Sequence, residues 1–272
     1  VWRLQANRIV TNSNHPGFLG GISIRELTVQ YQGGQPILEK MNLEIAAREV
    51  LALVGASGCG KSTFLRSLAG LIAPSTGDIQ LSQPTHNAEG LSQNLSYVFQ
   101  DPTLLPWRSV FDNVRLPLEL KRGRKSVGEE SEAVAGALHA VGLEEASWRK
   151  FPRQLSGGMR MRNSIARALV TAPDVLLLDE PFAALDDLLR TRMNELILQL
   201  WQERPRTILF VTHNIAEAIM ISHRVAVFGG RRVARIIDNP LPWPRTAEQR
   251  TTREFAEQYG IVSKTLSEVA AL

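Results

Sequence analysis

Apolar and polar residues alternate along ISIRELTVQY (residues 22–31) and again along MNLEIAA (41–47), the period-two pattern of half-buried strands. VLALVG (50–55) is apolar without a break, as expected of a parallel strand covered on both faces. KSTFLRSLAGL (61–71) then has helical spacing and closes at Ala73–Pro74, and STGDIQLSQ and NLSYVFQ predict two further strands. Between Asp101 and about Ala168 the period changes. VFDNVRLPLEL, EESEAVAGALHAVGL and the segment after Met159 are spaced as helices, with no strand among them. Strands return at VLLLDE, TILFVTH and RVAVFG, alternating with helices in LDDLLRTRMNELILQLWQE and IAEAIMIS. Such alternation predicts an α/β fold with a mainly parallel sheet, an N-terminal antiparallel β portion and an inserted helical subdomain over about 101–168. Residues 1–20, interrupted by TNSNHPG, read as a flexible leader, and 21–230 as the main domain. Residues 231–272 form an extension with one strand (RVARIID), a Pro-rich corner and an amphipathic segment bearing Phe255, Tyr259 and Leu266, expected to pack on the core.

Composition narrows the classes. A chain of 272 residues, 44% hydrophobic and 21% charged, is ordinary for a globular protein with a substantial core. A net charge of +4, spread over interspersed acids and bases, gives no footprint for nucleic acid. One cysteine, Cys59, permits no internal disulfide and suits a reducing compartment. No apolar run approaches the roughly 20 residues that span a bilayer, and Val1–Gly20 lacks the apolar core of a signal peptide. Any membrane role is therefore expected to act through a partner.

Three motifs carry chemistry. GASGCGKS (Gly55–Ser62) fits G-x-x-x-x-G-K-[ST] between a buried strand and a helix. Backbone N–H groups through Ser57, Gly58, Cys59, Gly60 and Thr63 can face phosphate oxygens, Lys61 supplies a point charge, and the Ser62 hydroxyl can ligate Mg²⁺. Asp179 and Glu180 end the strand VLLLDE, where ligands of open α/β sheets collect. There Asp179 can hold Mg²⁺, and Glu180 can polarise an attacking water. Acids after a strand also cap helices, and Pro181 suits that alternative; the phosphate loop favours the catalytic one. LSGGM (Leu155–Met159) opens a helix with Ser156, Gly157 and Gly158, a second anion-binding nest. One subunit needs only one such nest for one nucleotide.

With these three motifs in this order, the stretch from about Gly21 to Gly230 resembles the ATP-binding cassette (ABC) family, whose signature is LSGGQ or a close variant. The resemblance implies a P-loop NTPase (RecA-like) core, ATP and Mg²⁺ as cofactors, and a homodimer in which each signature closes over the partner's nucleotide. It further implies that Tyr31 stacks on adenine, that Gln100 reaches Mg²⁺ and water, that Asp186 of AALDD is the D-loop acid, and that His213 is the switch histidine. Met159, Met161 and Asn214 depart from the commonest family residues, but none removes a phosphate contact, a metal ligand or the base, so an active ATPase is expected.

After Gln100 the chain reads DPTLLPWRSVFDNV. An apolar loop bearing a tryptophan suits a partner-binding patch or an anchor for the helical insert. At this site LLPW (Leu104–Trp107) resembles the nitrate/sulfonate/taurine branch of bacterial importers. That implies contact with transmembrane permease subunits, indirect service to an external solute-binding protein, and a peripheral place on the cytoplasmic face of the inner membrane. An ABC exporter subunit and a soluble ABC ATPase are the alternatives; the latter carries tandem cassettes or long coiled coils, neither of which is present here.

Overall fold

A computed structural model describes residues 21–31, 34–81, 95–121 and 127–271. The leader expected over residues 1–20 lies outside them, as do the last two residues of STGDIQLSQ. The chain forms two compact units, one from Val1–Gln93 with Arg206–Leu272, the other from Asn94–Pro205.

The first unit opens with β1 (Ile22–Gln30), β2 (Pro36–Ile45), β3 (Val50–Gly55), α1 (Lys61–Leu68) and β4 (Thr76–Leu81). Strands β2, β1 and β4 form an antiparallel sheet in that order. Ile22 and Ile24 are buried, and so are Leu27 and Val29, one residue out of phase with them. A bulge reconciles the two halves: register shifts between Ile24 and Leu27, with Glu26 at φ 50°, so every apolar residue returns to the same face. Opposite the bulge Gly77 sits at φ 88°, where a Cβ would lie 2.3 Å from the Glu26 carbonyl oxygen. Strand β2 begins five residues before the predicted Met41. Its buried Leu38 and Met41 are also out of phase, with Lys40 at φ 43° between them, which hides the strand from a strict two-residue period. Helix α1 ends three residues earlier than predicted. Gly70 takes φ 70°, its N–H bonds the Ser67 carbonyl and that of Leu71 bonds Arg66, a Schellman close.

The second unit contains β5 (Leu95–Val98), α2 (Val110–Leu120), α3 (Val127–Ala140), α4 (Gly157–Leu169), β6 (Val175–Asp179) and α5 (Asp187–Glu203). Strands β5 and β6 are parallel, with Val98 opposite Leu178. Helix α2 packs on α3 and α4 through buried Val110, Val114, Val134, Leu138, Met161 and Ile165. Asp186 caps α5 by accepting the Leu189 N–H, so this helix starts after the leucine at which its pattern begins.

The first unit resumes with β7 (Thr207–Val211), α6 (Ile215–Ile221), β8 (Arg224–Gly229), β9 (Arg232–Asp238) and α7 (Arg253–Ala270). Strand β3 lies between β7 and β8, parallel to both, and β9 adds antiparallel to β8. All six β3 residues are buried, as its unbroken apolar run predicts. Helix α7 buries Phe255, Val262 and Val269 against β8 and α6. Between β9 and α7, Trp243 stacks on His223 at 4.5 Å and receives the Arg245 guanidinium at 4.9 Å. The His223 Nδ1 accepts the Val50 N–H at 3.0 Å. Burial lowers the His223 pKa, the Glu49 carboxylate opposes that, and the Arg245 charge adds to it. Burial also brings Arg245 down to about 10. The architecture is α/β, with mainly parallel strands and a separate antiparallel sheet. Among the described residues no helix is long and apolar enough to cross a membrane.

Candidate nucleotide site

The first unit holds Tyr31, Gly55–Thr63 and His213. Strands β3 and β7 run parallel with Leu53 opposite Val211, so the loop after Gly55 and His213 leave the same strand edge. The side chain of Lys61 is buried, and its Nζ donates at 2.9 Å to the carbonyl oxygens of Gly55 and Ala56 and at 3.6 Å to the Cys59 Sγ. Helices α2, α4, α5, α6 and α7 each have a side-chain cap at the N-terminus. Helix α1 has Gly60 there instead, with no side-chain cap and no acid in its first turn. A helix start with no side-chain cap and an ammonium beside it is a cradle for phosphate. At Gly55 a Cβ would fall 2.7 Å from the Phe228 carbonyl oxygen and 2.8 Å from the Cys59 Sγ, so only glycine lets the loop turn there.

His213 is exposed, with its backbone fixed on both sides. The Thr212 hydroxyl donates to the buried Glu217 carboxylate and accepts the Asn214 N–H. Asn214 caps α6 by accepting the Glu217 N–H at 3.1 Å, a duty that Asn performs as well as Asp. Tyr31, just past β1, is 52% exposed, leaving its ring free to be covered by a flat apolar group.

The second unit holds Gln100, Ser156–Gly158, Asp179, Glu180 and Asp186. Gln100 and Glu180 each lie two residues beyond paired positions of β5 and β6, so both leave the C-terminal edge of that pair. Asp179 is buried and its Oδ2 accepts the Tyr97 hydroxyl at 2.7 Å. Glu180 occupies the left-handed region at φ 49°, an unusual conformation for a long side chain. Ser156 caps α4 by accepting the Met159 N–H at 3.2 Å. Gly158 lies against α5: a Cβ there would meet the Leu189 Cδ2 at 2.7 Å. The signature turn and the helix capped by Asp186 are thus neighbours.

Among the described residues no group of three His, Cys, Asp or Glu side chains forms a metal cage. Within the second unit the buried Asp179 carboxylate is the kind of single oxygen ligand that Mg²⁺ takes together with substrate phosphates and water. That carboxylate fits Mg²⁺ carried by a nucleotide. Tyr97 was not foreseen as a site residue, since only the pairing of β5 with β6 brings it to Asp179.

Fold and site together define a phosphate-loop nucleotide-binding α/β protein. The family model described as ABC transporter matches residues 38–183. An ATP-binding protein of Brucella abortus is 40% identical over 237 residues, covering 86% of this chain and 89% of its own length. The aliphatic sulfonates import ATP-binding protein SsuB of Escherichia coli is 43% identical over 209 residues, 77% of this chain and 78% of its own. Among solved structures, a dimeric post-hydrolysis state of the ATP-binding cassette MJ0796, bound to ADP and Pi, aligns with a TM-score of 0.72 at 30% identity. It covers 81% of this chain and 100% of that one. The chain belongs to the ABC transporter family as an ATP-binding subunit, and it hydrolyses ATP with Mg²⁺ as the usual partner of the nucleotide.

Proposed function

We propose that this ATPase energises a bacterial importer for a small anion of the nitrate, sulfonate or taurine type, working as a homodimer on the cytoplasmic face of the membrane. The observation that carries the importer reading is the loop Leu104–Trp107, in which Trp107 is 71% exposed. A large exposed aromatic on an ordered loop suits an anchor for a partner, here the transmembrane permease. The name of the sulfonate-import relative supports the same direction, and an external solute-binding protein would deliver the solute.

In this reading Tyr31 stacks on adenine, and the backbone of Gly55, Ser57, Gly58, Cys59, Gly60 and Thr63 cradles the phosphates. Lys61 balances the charge on the β- and γ-phosphates. Ser62, Asp179 and Gln100 would hold Mg²⁺, which would draw electron density from the phosphate oxygens. Glu180 takes the proton of the attacking water, and His213 orients that water at the γ-phosphate. Ser156, Gly157 and Gly158 of the second copy complete the grip, with Asp186 beside the junction. ATP then serves as a ligand of the closed pair, and its hydrolysis releases that state.

The test uses proteoliposomes holding the cassette with its permease, the cassette facing the lumen and the solute-binding protein outside. ATP in the compartment facing the cassette should drive uptake of a labelled aliphatic sulfonate or nitrate. Glu180→Gln should still bind ATP while losing about 10²–10⁴-fold in turnover. Efflux of solute instead of uptake would overturn the importer reading, and wild-type turnover in the variant would overturn the assigned base.

A further inference from the structure

The exposed Trp107 stands on a segment with no regular secondary structure from Asp101 to Arg108, yet two side chains hold that segment along its length. Asn113 of α2 is fully buried. Its Oδ1 accepts the Leu105 N–H at 2.8 Å, and its Nδ2 donates to the carbonyls of Leu105, Arg108 and Ser109 at 3.0–3.1 Å. Both of its polar atoms are spent on this loop, in the manner of a short strand pairing. From the other side Arg167 of α4 donates to the carbonyl oxygens of Pro102 at 2.8 Å and Thr103 at 2.9 Å, and to the Thr103 hydroxyl at 3.0 Å. Burial lowers the Arg167 pKa, and a guanidinium remains charged throughout. Thr103 takes φ 45°, a left-handed turn that these bonds pin.

Arg167 lies eleven residues beyond Ser156 on the same helix, about 16 Å along its axis at 1.5 Å per residue. One rod thus carries the signature serine at its start and grips the root of the Trp107 loop near its end. We propose that Arg167 is a positioning residue through which α4 conveys movement of the signature to the permease-docking loop. The inference rests on the reading that Leu104–Trp107 docks the permease. It assigns Arg167 to neither nucleotide nor solute, so its loss should affect coupling in preference to hydrolysis.

The experiment compares wild type, Arg167→Ala, Arg167→Lys and Trp107→Ala, each purified with its permease and reconstituted in proteoliposomes. Solute transported per ATP hydrolysed should fall at least tenfold in Arg167→Ala, with hydrolysis by the free cassette within twofold of wild type. Hydrogen exchange at Leu104, Leu105 and Arg108 should speed up about tenfold, while amides within α4 stay protected. Arg167→Lys keeps the charge but loses the planar fork that reaches two carbonyls and a hydroxyl, and should fall between. An unchanged transport-to-hydrolysis ratio in Arg167→Ala, with Trp107→Ala failing to assemble, would overturn the coupling role alone. Normal assembly of Trp107→Ala would overturn the docking reading itself. Should Arg167→Ala also expose the amides of α4, Arg167→Lys decides: a wild-type ratio with a loosened loop would overturn the proposal, and a reduced ratio with α4 intact would support it.

Discussion

Tyr97 and Asp179 are 82 residues apart in sequence and 2.7 Å apart at their oxygens. A hydrogen bond to a carboxylate contributes about 1.5–3 kcal/mol, so Tyr97→Phe should weaken the hold on the Asp179 side chain in the orientation assigned for Mg²⁺. The expected outcome is a several-fold higher Mg²⁺ requirement in an ATPase titration, with little change in the ATP requirement at saturating Mg²⁺. His223 yields a second outcome. Its folded pKa is lowered, chiefly by burial, so the unfolded chain takes up the proton first as pH falls. Its contribution to stability is full above its unfolded value of about 6.5 and is lost as pH drops through the window beneath. Denaturant midpoints measured from pH 7.5 to 5 should decline in wild type and decline less in His223→Asn. The motif residues were legible in the sequence because each motif is local: a loop, a helix start or a strand end. Tyr97, Asn113 and Arg167 were not. A tyrosine in a strand, an asparagine in a helix and one arginine among many have no pattern until the fold supplies their partners.

At the level of elements, periodicity served best where burial is simple. The uninterrupted apolar run of β3 has one reading, and all six residues are buried. It served worst where backbone irregularity shifts the phase, as at Glu26 and Lys40, both at positive φ. The bulge at Glu26 also fixes what must face it. Gly77→Ala would set a Cβ 2.3 Å from a backbone oxygen that has no rotamer through which to retreat. It would also pay the left-handed penalty of roughly 1–2 kcal/mol. A loss of about 3 kcal/mol or more follows when overpacking is included, seen as a drop in thermal midpoint of roughly 10 °C. Gly158→Ala makes a useful comparison, since its neighbour is the tip of Leu189. Leucine can turn aside, and alanine favours the helix by up to about 1 kcal/mol, so the net change there should be small.

For the whole molecule, the family assignment makes the signature turn of α4 more than a helix cap. Gly157 is exposed and Ser156 beside it is exposed as well, which suits a surface completed by another copy. Introducing a bulky cation there should block closure without touching the phosphate loop. Ser156→Arg is expected to bind ATP as a monomer with near wild-type affinity and to show no ATP-driven increase in mass by light scattering, even when combined with Glu180→Gln. Pairing at the wild-type level would refute the arrangement. The left-handed backbone of Glu180 bears on how such a protein could be improved. Glycine or asparagine would occupy that conformation at lower cost, so a library scored only for heat resistance would drift towards them at this position. With Glu180 as the base, its winners would be sturdy and idle.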